Sequence, residues 1–266
     1  MRRTLETKRI IVTGAGSGIG RALAAALVRA GAKVALASRN AGRLQQLQAE
    51  LGSNALAVPT DITNPDDRVR LIKTVADTWG GLDVLANVAG IAAWGHFATS
   101  TEAINRAILE TNFFAPVELI RLAVPHLTKG VQPLVVNLTS MTGRRGMPAW
   151  PEYSASKAAL VGLSEALRGE LCRFGIDILT VVPGLTKTDL QTNMLRNEGR
   201  VEIPYDTGMD ADAVAASILT AIRRDKTEVV LGSDAKKILA LNKWAPRLLN
   251  RLIARRVTAS YLVKSS

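Results

Sequence analysis

An α/β fold, one domain built on a doubly wound parallel sheet with a helical extension at its C-terminal end, follows from three observations. Short β-branched runs alternate with longer stretches of helical periodicity through most of the 266 residues. The first of these runs passes through a cluster of glycines straight into a helical stretch. A composition of 47% hydrophobic and 21% charged residues leaves enough apolar side chain to bury a sizeable core.

The elements follow in order. Arg9 to Thr13 is the first strand and residues 20–30 its helix; Lys33 to Ala37 is the second strand and 41–51 its helix. A third strand at 54–58 precedes a helix over 65–79. A fourth, Asp83 to Ala86, precedes one long helix from about 102 to 127. Leu134 to Leu138 is the fifth strand, a helix near 152–174 follows, and the sixth strand spans 176–182. No repeat or low-complexity stretch interrupts the series before about 232, so the division is a main α/β domain over 1–233 and a basic amphipathic tail over 234–266.

The apolar strand pattern begins by Ile10, leaving no room for a signal peptide's core, and no apolar run is long enough to span a bilayer. A lone cysteine, Cys172, rules out an internal disulfide and a cysteine metal site; no metal is expected, and the chain reads as reduced and cytoplasmic. The net charge of +11 is unevenly placed: eight Lys or Arg and no acid lie from Lys236 onward, against 26 basic and 23 acidic residues before it. A body so nearly balanced argues against nucleic acid as a partner.

The glycine cluster reads Thr13-Gly14-Ala15-Gly16-Ser17-Gly18-Ile19-Gly20. Glycine permits the tight turn and lets backbone N–H groups approach a pyrophosphate at the helix N-terminus, where the helix dipole favours negative charge. Opening the first βαβ unit of such a chain, the cluster reads as a dinucleotide site of the Rossmann type. Its T-G-x-x-x-G-x-G spacing resembles that of the short-chain dehydrogenase/reductase family. Asp61-Ile62, Asn87-Val88-Ala89-Gly90, Asn112, Ser140, Tyr153-x-x-x-Lys157 and Pro183-Gly184 follow in that family's order, so the resemblance covers roughly residues 8–232.

Cofactor choice is read after the second strand, at Ser38-Arg39-Asn40. No carboxylate stands there to repel a ribose 2′-phosphate, and the Arg39 guanidinium can hold one, favouring NADP(H) over NAD(H). The plainer alternative leaves Arg39 as a solvated residue after a strand, and Ser17 stands where part of the family carries a second basic residue. By resemblance, Gly14, Ser17, Gly18, Ile19 and Gly20 cradle the pyrophosphate, Asp61 and Ile62 contact the adenine, and Asn87 and Gly90 close the floor. Pro183 and Gly184 end the sixth strand, and Thr188 stands where the family places a hydroxyl near the nicotinamide carboxamide.

On a helix, residues i and i+4 share a face, so Tyr153 and Lys157 project into one site with only Ser154, Ala155 and Ser156 between them. A phenol of pKa about 10 is a poor base at neutral pH, and a neighbouring ammonium stabilises its phenolate. The resemblance gives Tyr153 the acid/base role, Ser140 a hydrogen bond to the substrate oxygen, and Asn112 a water linking Lys157 to solvent. Each has a plainer alternative: a surface tyrosine, a helix cap, a buried helix amide.

The segments 91–97, 141–150 and 185–209 should surround the reacting carbon and supply Trp94, Met141 and Trp150, which suits a lipid, steroid or acyl-like ketone or alcohol. Arg144 and Arg145 fit either an anionic substrate or a solvated turn. In the tail, Ile238, Leu241, Ala245, Leu248, Leu249 and Leu252 recur at helical spacing and Pro246 divides two helices. That pattern suits a lid, a subunit contact or peripheral attachment to a membrane surface. By resemblance the protein is a homodimer or homotetramer built on the helices around 102–128 and 152–174. The leading expectation is an NADP(H)-dependent oxidoreductase acting on CH–OH groups. The rivals are a non-catalytic NADPH-binding sensor or scaffold working through the tail, and a nucleotide-sugar epimerase or dehydratase, which the loop spacing and short C-terminal portion disfavour.

Overall fold

The computed structural model describes residues 3–190, 194–200 and 203–262, the side chains of 261 and 262 excepted. Its elements are β1 (Arg9–Thr13), α1 (Gly18–Arg29), β2 (Lys33–Ser38), α2 (Ala41–Leu51), β3 (Ala55–Pro59), α3 (Pro65–Trp79), β4 (Val84–Asn87), α4 (Glu102–Leu109) and α5 (Ala115–Leu127). There follow β5 (Leu134–Leu138), α6 (Met141–Arg144), α7 (Pro151–Leu171), β6 (Asp177–Pro183), the two-residue strands β7 (Thr186–Lys187) and β8 (Met209–Asp210), α8 (Ala211–Arg223), β9 (Glu228–Leu231), α9 (Ser233–Trp244) and α10 (Pro246–Leu262).

Seven strands form one parallel sheet in the order β3-β2-β1-β4-β5-β6-β9. Both faces are covered, which is why Ile10, Ile11 and Val12 are all fully buried although successive strand side chains point to opposite faces. One core gathers α1 and α8 over the sheet and the other gathers α3 and α5 beneath it. Local chemistry sets the helix starts. Asn64 accepts from the Asp66 and Asp67 amides at 2.8 and 3.2 Å, with Pro65 in the first turn; Asn40 accepts from the Arg43 amide at 3.0 Å.

Strand order reverses between β1 and β4, so the loops leaving their C-terminal ends part and open a crevice, the general ligand position in such sheets. Thr13 ties its floor together, its hydroxyl accepting from the Val88 and Ala89 amides at 3.0 and 3.2 Å.

Three differences from the expected elements stand out. The single helix over 102–127 is interrupted by a π-helical segment, Glu110–Phe114, between α4 and α5. The helix near 152–174 ends at Leu171 and closes in a 3₁₀ turn over Cys172–Phe174. The sheet gains a seventh strand, β9, beyond the six read from the sequence, together with α8. The tail forms two helices meeting at Ala245 and Pro246. No helix among the described residues is long and apolar enough to cross a membrane.

Candidate active site

The glycine loop sits at the β1 end of the crevice. Gly14 takes φ +71°, and a Cβ there would stand 2.9 Å from the Ala89 Cα; one on Gly20 would stand 2.2 Å from the Gly14 carbonyl oxygen, so helix and loop touch backbone to backbone. Ser17 N-caps α1 without a side-chain hydrogen bond, no acidic residue occupies the first turn, and Ile19 packs against the core from that turn. The first amides of α1 are thus left for an anion. Ser38, ending β2, keeps a buried hydroxyl oxygen with no partner, close beside Gly16. Arg39 next to it is exposed. Donors without acceptors, a cradle only glycine fits and a nearby guanidinium together suit a dinucleotide.

At the β4 end, the Asn87 amide donates to Asn137 Oδ1 at 2.9 Å, and Asn137 donates to Ser164 Oγ at 2.9 Å. This buried relay crosses from β4 to β5 to α7 and leaves Asn87 Oδ1 unpartnered. Asp61 Oδ1 accepts from the Thr63 amide and hydroxyl at 2.9 and 2.7 Å, beside the buried Ile62. Thr188 leans over the glycine loop, its Cβ and Cγ2 3.3 Å from where a Gly18 Cβ would sit. The Pro183-Gly184 turn is fastened from the tail: Asp234 accepts the Leu185 amide at 2.8 Å, and a Gly184 Cβ would come within 2.4 Å of both its carboxylate oxygens.

The four residues of the expected catalytic set converge beyond β5. Ser140 N-caps α6, its Oγ accepting from the Thr142 amide at 3.1 Å. Lys157 is 3% exposed; its Nζ donates to the Leu138 carbonyl at 2.9 Å and lies 5.8 Å from the Tyr153 ring centre. Asn112 is fully buried in the π-helical segment, where it accepts from the Ile91 amide and donates to the Ile91 carbonyl, both at 2.9 Å, and donates to Ser156 Oγ at 3.0 Å. Gly90 lets these groups crowd together, since a Cβ there would meet Asn112 Oδ1 at 3.2 Å and Lys157 Nζ at 3.4 Å.

Burial pushes the Tyr153 phenol up to about 12; its hydrogen bond with Ser140 pulls the other way, and Tyr205 adds to the rise. Burial pushes Lys157 down to about 8. The shared face of the helix exists, but desolvation outweighs the expected stabilisation of a phenolate by the ammonium. The two shifts favour the neutral phenol at Tyr153, with the Lys157 amine behind its ring.

Over this centre, residues 91–97 and 194–200 are hydrogen-bonded to each other. The Trp94 amide donates to the Arg196 carbonyl at 2.9 Å, the Glu198 amide to the Trp94 carbonyl at 2.8 Å, and Arg196 Nη1 to the His96 carbonyl at 2.9 Å. Trp94 is folded against Gly199, where a Cβ would fall 1.9 Å from its indole. Trp150 stacks obliquely on Tyr153 with ring centres 5.6 Å apart, and Met141 is 7% exposed. Arg144 pairs with Glu165 at 2.6 Å and with Glu228, while Arg145 donates to Asn250 of α10 at 2.5 Å; neither is a bare solvated turn residue. Part of segment 185–209 lies outside the described residues.

Asn137, Ser164, Ser156, Asp234 and Arg196 carry site contacts that no motif in the sequence assigns to them. Asn137 alone gave a signal, as a polar residue inside the apolar run Leu-Val-Val-Asn-Leu. The others make contacts between residues far apart in the chain.

Comparison with known proteins bears on this geometry. The model of the short chain dehydrogenase family matches residues 8–199. Ketoacyl reductase HetN of Nostoc sp. is 33% identical over 259 residues, covering 94% of this chain and 89% of that protein. A 3-ketoacyl-(acyl-carrier-protein) reductase from Brucella melitensis, solved with NADH, superposes with TM-score 0.76 at 27% identity over 85% of this chain and 96% of its own. A short chain dehydrogenase from Burkholderia cenocepacia, solved with NADP, superposes with TM-score 0.82 at 25% identity over 94% of this chain and 99% of its own. With glycine loop, parallel sheet and YxxxK helix all in place, the chain belongs to the short-chain dehydrogenase/reductase family of oxidoreductases.

Proposed function

We propose that this oxidoreductase prefers NADP(H) and interconverts a secondary alcohol and a ketone on an apolar, lipid-, steroid- or acyl-like substrate. The observation that carries the reading is the convergence of Ser140, Tyr153, Lys157 and Asn112 at the mouth of the crevice beside the glycine loop. The nicotinamide, when bound, supplies or accepts the hydride.

Every other part of the step belongs to the chain. The Ser140 hydroxyl donates to the substrate oxygen and orients the carbonyl. Tyr153, held protonated, gives its proton to that oxygen as the carbonyl carbon is reduced, and takes it back in the reverse direction. Lys157 keeps positive charge next to the phenol, and Asn112 fixes the Ile91 backbone beside it. Glycine-loop amides and Ser38 would hold the pyrophosphate side, with Arg39 on the 2′-phosphate. Asp61, Ile62, Asn87, Gly90, Pro183, Gly184 and Thr188 would line the rest. The preference for NADP rests on Arg39 and on the lack of a carboxylate after β2, since the solved relatives hold NADH in one case and NADP in another. The apolar substrate class rests on Trp150 against the Tyr153 ring and on Met141, the residue after Ser140. We also read the protein as a homodimer or homotetramer through α4, α5 and α7, a face on which Phe114 is 50% exposed.

Fluorescence titration with NADPH and NADH, followed by cofactor oxidation against a panel of apolar ketones, tests the reading. Tighter NADPH binding with turnover of a panel member supports it. Tight binding without turnover of any ketone favours a sensor or scaffold instead, a reading weakened by the presence of all four catalytic groups. No binding of either nucleotide overturns both.

A further inference from the structure

The end of the chain carries a surface that the oxidoreductase chemistry does not use. Helix α10 has two apolar stripes. One, formed by Leu249, Ile253 and Val257, faces inward, and Leu249 is 5% exposed. The other faces outward: Leu248 and Leu252, one turn apart, are 49% and 47% exposed, and Ala259 lies exposed further along the same side. Trp244, at the corner where α9 meets α10, is 79% exposed. A buried core would have taken such side chains in; these stand clear of it.

The charge around the outward stripe has one sign. Arg247, Arg251 and Arg255, each four residues from the next, run along its flank and are exposed, and Lys236, Lys237 and Lys243 on α9 are exposed as well. The last acidic residue before this stretch, Asp234, is turned inward onto the Leu185 amide. Apolar side chains at the centre, arginines beside them and an indole at the edge make the pattern of a helix lying in the plane of a lipid surface.

We propose that α10 and the end of α9 form a docking surface for an anionic phospholipid membrane, with Trp244, Leu248 and Leu252 entering the interface and Arg247, Arg251 and Arg255 meeting lipid phosphates. Charge selects this occupant over a second copy of the chain. A two-fold contact through α10 would set the three arginines against their own images, and the remainder of the chain, 26 basic to 23 acidic residues, carries no compensating excess of acid. The surface lies beside the reacting centre, because Asn250 of α10 accepts from Arg145, which caps the turn begun by Ser140.

The test is co-sedimentation of the full chain with vesicles of phosphatidylcholine alone and of phosphatidylcholine containing about one quarter phosphatidylglycerol. The expected result is pelleting with the anionic vesicles, little with the neutral ones, and release at about 1 M salt, where the screening length is about 3 Å. Arg247→Gln with Arg251→Gln and Arg255→Gln should weaken vesicle binding by about a hundredfold, each basic residue near an anionic surface contributing roughly fivefold. Trp244→Ser with Leu248→Ser and Leu252→Ser should abolish it. All six positions are exposed, so unchanged NADPH binding and melting temperature would verify that both variants fold. Absence of binding to anionic vesicles overturns the proposal. So does equal binding by the wild type and both variants, or a variant that splits an oligomer in solution while vesicle binding is unaltered. None of these results bears on the proposed oxidoreductase activity, which the cofactor titration reads separately.

Discussion

Lys157 Nζ donates to the Leu138 carbonyl oxygen at 2.9 Å, so the last residue of β5 holds the amine that stands behind Tyr153. Burial sets Tyr153 at about 12 and Lys157 at about 8, and the two shifts make different predictions. Tyr153→Phe should lower kcat for ketone reduction by roughly 10²- to 10⁴-fold, the usual weight of general acid catalysis, with cofactor affinity little changed. Steady-state kinetics with a titration of NADPH would check both; full turnover by the variant would remove Tyr153 from the proton-transfer role.

The pH profile should report the lysine. Ketone reduction is expected to hold level at neutral pH and fall as pH rises through about 8, where Lys157 loses its charge while Tyr153 remains protonated. A profile flat to pH 10 would show that the charge of Lys157 does not govern the step. Its stability effect has the opposite sense: a lysine with a lowered folded pKa opposes folding while charged, and this penalty lifts between about 8 and its ordinary value near 10.4.

Arg39→Asp should reverse cofactor choice. Losing a charge-assisted hydrogen bond of roughly 1.5–3 kcal/mol costs the NADPH complex about 10- to 100-fold, while a carboxylate at that position favours the free 2′-hydroxyl of NADH. Comparing kcat/KM for the two nucleotides measures this. Equal losses for both would return Arg39 to the status of a solvated residue.

Asp234→Ala should lower the melting temperature and raise KM for the cofactor, since the Leu185 amide loses its acceptor at a cost of about 1–3 kcal/mol. Asp234→Asn keeps an acceptor oxygen and should restore most of the loss. If alanine and asparagine behave alike, the contact is dispensable.

Asp83 should mark the acid limit of stability. Burial raises its pKa, but the bidentate Arg9 pair and the Arg9 and Val131 amides outweigh that and leave it below the ordinary value. A depressed carboxylate contributes stability above its unfolded pKa, so its share should be complete above about pH 4 and drain away as pH falls further. Asp83→Asn should flatten denaturant midpoints over that range.

Much of this architecture could be read along the chain because it is local. Strands buried on both faces announce themselves as unbroken apolar runs, and Thr13 to Gly20 names its own turn by the density of glycine. The YxxxK pair needs only the pitch of a helix. What stayed hidden depends on contacts across the sheet. The π-helical turn at Asn112 changes no composition, and β9 has only a short four-residue signal, Glu228 to Leu231, between α8 and α9. The phenol's upward shift could not be inferred from the spacing of Tyr153 and Lys157, because it is set by how deeply the fold buries the ring, with Ser140 and Tyr205 reaching it from other parts of the chain.

Asp234 is the first acidic side chain of α9 and also the acceptor that fixes the turn after β6. One carboxylate therefore belongs to two neighbourhoods, and whatever settles one settles the other. Should α10 rest on a lipid surface, whatever factor that surface applies to cofactor affinity the cofactor must apply to membrane affinity, because thermodynamic linkage is reciprocal. Cofactor affinity compared between vesicle-bound and free protein would then read both halves of that coupling at once.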